Sequence, residues 1–256
     1  MKKRVTAGVL FVFVSLLVIA LGRGVTAQDW RTASREPVGL APPAASTPDA
    51  VVQVYAARTV GARGAFGVHT WVATKAPGAG DYTVYEVIGW RLRWNGSAVV
   101  IHARAPDGRW FGSEPELLAD VRGPAAEKLI PRIDAAARAY PWANEYHVWP
   151  GPNSNTFTAW IARAVPELEV DFPATAIGKD YSDSLLGTAP SGHGGQFTLG
   201  GLFALTASGV EGLEINVLGL SFGLGPSGLK LPLIGRLGPA RPASPDAPAP
   251  ETPLSN

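Results

Sequence analysis

Ser154 stands in the string Asn153-Ser154-Asn155-Thr156-Phe157, behind the turn Pro150-Gly151-Pro152 and ahead of apolar residues at helical spacing, Phe157, Trp160, Ile161 and Val165. The spacing predicts a helix over 155–165, ended by Pro166, with a polar cluster at its start. A hydroxyl there meets unpaired amides and the positive end of the helix dipole, which stabilise developing negative charge. With the His69 imidazole as base and the Glu86 carboxylate orienting it, Ser154 would be the nucleophile of acyl transfer, and Asn153 or Asn155 would contact the oxyanion. Plainer readings stand beside this one. Ser or Asn before a helix is an N-cap, a histidine in a strand with two apolar faces is a satisfied buried group, and Glu86 pairs with an arginine. Trp71, Trp149 and Trp160 are candidate walls of the cleft. Lys179 and Asp180, in Ile177-Gly178-Lys179-Asp180-Tyr181, are either substrate contacts or an exposed turn.

Other motifs carry less. Ser227-Gly228-Leu229-Lys230 fits S-x-x-K, but it lies in a Gly/Pro-rich stretch and does not open a helix. Asn95-Gly96-Ser97 fits a glycosylation acceptor, and a turn explains it better. The chain has 0 Cys, which excludes disulfides, thiolate nucleophiles and Cys-ligated zinc or iron–sulfur centres. His69, His102, His147 and His193 are scattered without paired-ligand spacing, so no metal and no cofactor is expected. Lys+Arg at 22 against Asp+Glu at 21 argues against nucleic acid as a partner.

These residues need elements to hold them. Val51–Val60 and Phe66–Lys75 read as strands joined by a turn at Gly61, Arg63 and Gly64. Tyr82–Trp94 and Ser97–Ala103 flank Asn95-Gly96, which supplies the two positive-φ positions of a type I′ hairpin. A two-residue loop sets Trp94 against Ser97, Leu92 against Val99 and Trp90 against Ile101. It turns Arg91, Arg93 and His102 to one face and Glu86 to the other, apolar one. Pro124–Tyr140 predicts a helix with a stripe of Leu129, Ile130, Ile133, Ala137 and Tyr140, and Tyr146–Trp149 a short strand. Residues 187–238 are Gly-rich with strand-like apolar stretches, a β-rich extension of a domain spanning 51–186.

The ends read differently. Lys2, Lys3 and Arg4 precede an apolar run over 5–22, with Val25-Thr26-Ala27 as a cleavage site. Residues 1–27 are therefore a signal peptide or an uncleaved membrane anchor, and the remainder is expected outside the cytoplasmic membrane, periplasmic or anchored facing outward. Residues 28–50 read as a linker, and 239–256, with six prolines in eighteen residues, as a disordered tail.

Val68-His69-Thr70-Trp71, Tyr85-Glu86-Val87-Ile88-Gly89, Asp107-Gly108-Arg109-Trp110-Phe111-Gly112, Trp149 to Phe157 and Thr175 to Asp180 together resemble a bacterial envelope family of unknown function, domain 3750. That resemblance implies no activity. The order of a histidine on an early strand, a polar residue on the next and N-x-x-T-F opening a helix is similar to circularly permuted papain-like peptidases and amidases. Those enzymes carry cysteine where this chain has Ser154, and a site built for a thiolate does not automatically deprotonate a hydroxyl. The expected fold is α+β, an antiparallel sheet with packed helices, permuted papain-like by this resemblance, plus the Gly-rich β extension. The expected function is that of an exported hydrolase or transferase acting on amide or ester bonds of envelope components. The alternative is a non-catalytic module that binds envelope peptide, glycan or lipid.

Overall fold

β-branched and aromatic residues carry Val51–Arg58 (β1) and Val68–Lys75 (β2) into an antiparallel pair that sets Tyr55 against Trp71 and Ala57 against His69. The structure is a computed structural model and describes residues 29–238. The N-terminal apolar run and the Pro-rich tail lie outside the described residues. Among the described residues no helix is long and apolar enough to cross a membrane. Thr83–Val87 (β3), Val99–Ala103 (β4) and Glu116–Arg122 (β5) complete a five-stranded antiparallel sheet in the order β4-β3-β2-β1-β5.

β3 and β4 are neighbours, but in another register than the hairpin reading implies: Tyr85 faces Ile101 and Val87 faces Val99. Gly89–Arg91 forms a 3-10 turn and Leu92–Asn95 (α1) one α-helical turn, and Gly96, at φ 64°, caps it with its N–H on the Leu92 carbonyl. Asn-Gly closes a helical turn here because a C-cap and a type I′ turn ask for the same left-handed backbone, which glycine adopts without strain. The pairs of Trp94 with Ser97, Leu92 with Val99 and Trp90 with Ile101 therefore do not form. His102 moves to the face that carries Glu86.

The opposite face, with Val52, Val54, Val72 and Tyr85, packs against Gly123–Arg138 (α2) and Ser154–Ala164 (α3). α2 buries Leu129, Ile133, Ala136 and Ala137, with Pro131 inside the helix on its exposed side. α3 buries Phe157, Ala159, Ile161 and Ala162 against β2 and β3. Residues 146–149 form no strand, and His147 is exposed. On the Glu86 face, Asp107 Oδ2 accepts the Leu40 and Ala41 N–H groups at 2.7 and 3.2 Å, and the Tyr82 hydroxyl donates to the Pro42 carbonyl at 2.9 Å. Part of the stretch read as a linker thus lies across the sheet, where Ala41 and Ala44 pack beside Tyr55 and Trp71.

After α3 the chain builds a second antiparallel sheet of seven strands in chain order. They are Leu186–Gly187 (β6), Gly195–Leu199 (β7), Phe203–Ser208 (β8), Gly212–Val217 (β9), Leu220–Gly225 (β10), Gly228–Leu231 (β11) and Gly235–Leu237 (β12). The molecule is thus α+β with most of its regular structure in two antiparallel sheets. The second sheet has inverted polarity. Its inward positions carry Gln196, Thr198, Glu214, Asn216, Ser221 and Lys230, all buried. Its outward positions form cross-strand rows such as Leu186, Phe197, Leu205, Ile215 and Phe222.

Charge compensation makes that interior tenable. Lys179 Nζ lies 3.0 Å from Asp180 Oδ1 and 2.8 Å from Glu214 Oε2. Lys230 bonds both Glu214 and Asp171. Asp171 also takes Arg236 at 2.6 Å and the Ser227 hydroxyl at 2.7 Å. Ser227 and Lys230 of the S-x-x-K match therefore share one structural carboxylate. Burial works to raise the carboxyls of Asp171 and Asp180, but Lys230 and Arg236 on one, Lys179 and Asn216 on the other, outweigh it and hold both below their ordinary 3.8. The stability these groups contribute is complete above that value and is lost as pH falls through the depressed folded-state values, so melting temperature should hold down to about pH 4 and drop below it. Lys230→Met leaves buried carboxylates short of a partner, and chemical denaturation should show a loss of about 3–5 kcal/mol.

Candidate functional site

Strand alternation at the start of β2 sends His69 and Trp71 to one face of the sheet and Thr70 to the other. Thr70 Oγ1 donates to Asn155 Oδ1 at 3.0 Å, and Asn155 Nδ2 donates to the carbonyls of Val68 at 3.0 Å and Ile177 at 2.7 Å. This clasp fixes the first turn of α3 against the end of β2 that carries His69. On the other face Glu86, from β3, is 1% exposed. His69 Nε2 lies 2.9 Å from its Oε2, and His102 Nε2 and Arg104 Nε lie 2.8 and 3.2 Å from its Oε1. Trp110 lies flat on the His69 ring, with centroids 3.7 Å apart.

Burial works to raise the Glu86 carboxyl, but the hydrogen bonds from His102 and His69 and the nearby Arg104 charge prevail and hold it well below the usual carboxylate range. It is ionised and only accepts, so both imidazoles present Nε2–H to it. Burial pushes His69 below its ordinary 6.5, more strongly than the adjacent Glu86 draws it up. A neutral imidazole with its proton on Nε2 carries its lone pair on Nδ1. The one side-chain hydrogen bond of His69 among the described residues runs through Nε2, which leaves Nδ1 without one.

The helix start is built around Asn153. Its Oδ1 accepts the amides of Asn155 at 2.9 Å and Thr156 at 3.3 Å, its Nδ2 donates to the Val148 carbonyl at 3.3 Å, and Thr156 Oγ1 closes the capping box on its N–H. Gly178 sits against that side chain at φ +97°, where an added Cβ would come within 2.5 Å of the amide. The cap is thus Asn153 and not Ser154, which is the first helical residue. Neither the hydroxyl nor the backbone N–H of Ser154 donates a hydrogen bond among the described residues.

His69, Glu86, Ser154, Asn153, Asn155 and Trp149 all line one cavity of about 1180 Å³. The sequence-predicted nucleophile, base and orienter therefore line one cavity, with no hydrogen bond between Ser154 and His69. Asn155 has both amide hydrogens and its oxygen engaged in the clasp, which leaves it no donor for an oxyanion, whereas Asn153 bonds the Val148 carbonyl through Nδ2, an amide with two hydrogens, and lines the cavity. Trp71 is fully buried with its indole N–H on the Pro106 carbonyl, and Trp160 bonds the Ala136 carbonyl. Neither reaches the cavity. Lys179 and Asp180 lie in the ion cluster under the second sheet.

Sequence reasoning missed His102, Arg104 and Trp110. The first two stand two apart at the end of β4, and that alternation, with the correct register, would have aimed both at Glu86. Trp110 sits in the Asp107-Gly108-Arg109-Trp110 string. The cavity wall also carries Arg35, Arg63, Arg91, Arg104 and Arg109 against the one acid Glu86. Among the described residues no group of His, Asp and Glu is arranged to hold a metal ion. In 15N-detected spectra at neutral pH His69 should be the neutral Nε2–H tautomer and should stay so down to its ordinary 6.5. A His69 ring charged at that pH would contradict this site.

A family model described as protein of unknown function (DUF3750) matches residues 49–181, just over half of the chain. No curated protein matches the chain, and no solved structure does. The matched span takes in β1 to α3 and with them His69, Glu86, Trp110 and Ser154. The candidate site lies within that span apart from Trp30 and Arg35 on the cavity wall, and the chain belongs to this family of proteins of unknown function.

Proposed function

We propose that the cavity is a site of acyl transfer on an amide or ester. The Ser154 oxygen attacks the carbonyl carbon, its proton passes to His69 Nδ1, and the same proton leaves with the amine or alcohol as the C–N or C–O bond breaks. Water or a second acceptor then takes the acyl group from serine by the reverse proton path. Glu86 fixes the tautomer and balances the imidazolium while it exists. The free N–H of Ser154 at the start of α3, with the dipole behind it, meets the oxyanion. One observation carries this reading: a buried imidazole, fixed by a carboxylate and bare at its other nitrogen, lines the same cavity as an unbonded hydroxyl at a helix start.

The order of these groups along the chain is similar to that of circularly permuted papain-like peptidases and amidases, with serine in the place of cysteine. Serine is the weaker acid and depends more on the base; burial keeps the His69 lone pair free at neutral pH, and Glu86 beside it offsets the charge the ring takes up with the serine proton. Arg104 is paired with Glu86 and Arg109 with Glu114, but Arg35, Arg63 and Arg91 on the wall favour an anionic substrate, and the exposed Trp90, Trp94 and Trp149 offer faces for sugar or lipid. With the export signal read from residues 1–27, this describes an acidic component of the cell envelope.

Ser154 makes no hydrogen bond to His69, and that observation favours a second reading, a module that binds anionic envelope peptide, glycan or lipid without turnover. A serine-directed fluorophosphonate separates the two. It should label the protein, and labelling should vanish in Ser154→Ala and fall at least ~100-fold in His69→Ala with both variants folded by circular dichroism. Absence of labelling in the unaltered protein, with saturable binding of anionic envelope fragments, would establish the module instead.

A further inference from the structure

In water, an antiparallel sheet with one solvated face turns its apolar side chains inward and its polar ones outward. The second sheet does the reverse along five consecutive strands. In β9, Glu214 and Asn216 are 5% and 2% exposed while Leu213, Ile215 and Val217 are 68%, 40% and 43% exposed. β10 repeats the pattern, with Ser221 buried and Phe222 and Leu224 exposed. The register aligns Leu213, Leu224, Leu229 and Leu237 into one outward row. Outward positions of β6 to β11 carry no charged side chain. The turns at one end of the sheet are apolar too, with Leu202, Leu218 and Ile234 exposed. The inward ion cluster, in contrast, keeps every charge away from this face.

We propose that this face lies in the acyl region of a lipid membrane surface. Two observations select lipid over a second copy of the chain. The face's outward side chains offer none of the hydrogen bonds that protein interfaces carry, whereas hydrocarbon asks for none. The apolar run at residues 5–22, read as a signal or an anchor, is a separate sequence signal that this chain meets a membrane. The face also adjoins the cavity: Trp149, on the cavity wall and 51% exposed, donates its indole N–H to the Leu218 carbonyl at 2.9 Å, at the turn between β9 and β10. Indoles favour the boundary between hydrocarbon and water. The proposal stands whether or not Ser154 is a nucleophile.

The chain has 0 Cys, so single cysteines can be labelled cleanly. The full chain carrying Leu213→Cys, Leu224→Cys or, as control, Lys128→Cys on the exposed side of α2 is labelled with an environment-sensitive fluorophore. Each is mixed with phosphatidylglycerol/phosphatidylethanolamine vesicles with and without doxyl-labelled lipid. Emission from positions 213 and 224 should move to the blue only when vesicles are present, and doxyl lipid should quench it several-fold more than emission from position 128. Equal, weak quenching at all three positions would overturn the proposal, since the N-terminal run alone would then tether the protein. Blue emission at 213 and 224 without vesicles, unquenched by doxyl lipid, would also overturn it, because a second copy or residues 5–22 of the same chain would then cover the face.

Discussion

A carboxylate can be taken out of water only where donors and cations replace the water it loses, and that constraint organises both halves of this protein. Glu86 is the clearest case. It sits in the middle of a sheet, and its position dictates that β2 offers a histidine, β4 another, and the chain after β4 an arginine. Once Glu86 is ionised, the proton of His69 has to be on Nε2, and the basic nitrogen is Nδ1 of a ring that lines the cavity. The chemistry open to the site follows from where one negative charge is buried.

The second sheet meets the same constraint on a larger scale. Asp171, Asp180 and Glu214 are buried with Lys179, Lys230 and Arg236 interleaved among them, so that each carboxylate touches at least one cation. Such an arrangement is weak as a source of stability compared with packed hydrocarbon, and it is costly to break. Its consequence for the surface is direct. With the polar members of each strand facing in, the pleat sends leucine, isoleucine, valine and phenylalanine out. A reversed sheet is consistent with an environment on the outer side that is itself apolar. A cavity opening beside that face is well placed to meet a molecule that also resides there.

The helix start illustrates how local and long-range interactions divide the work. Asn153 and Thr156 cap α3 from within four residues of sequence, whereas Asn155 reaches 87 residues back to Val68. Asn155 has both amide hydrogens engaged and Asn153 one, while the hydroxyl and backbone N–H of the residue between them stay unengaged. A turn built this rigidly, with Gly178 tight against the cap, holds Ser154 in place without occupying it.

Short-range pattern determined much of this by itself. The paired strands β1 and β2, the two long helices, the polar string at the start of α3 and the pairing of Glu86 with a basic partner all follow from residue type and spacing, because they depend on neighbours within a few positions. Tertiary structure decided the rest. Asn95-Gly96 is compatible with a hairpin or a helix end, and only the packing of residues 88–98 selects between them; that selection sets the register, and a register change moves His102 from one face to the other. Trp71 and Trp160 look like cleft walls in one dimension and are core in three. Lys179 and Asp180 look like an exposed turn until the strands that bury them arrive from 35 residues further along. Alternation in the Leu-rich strands is plain in the sequence, but which set of side chains faces inward is decided by where the opposing charges lie, and those are brought together only when the chain folds.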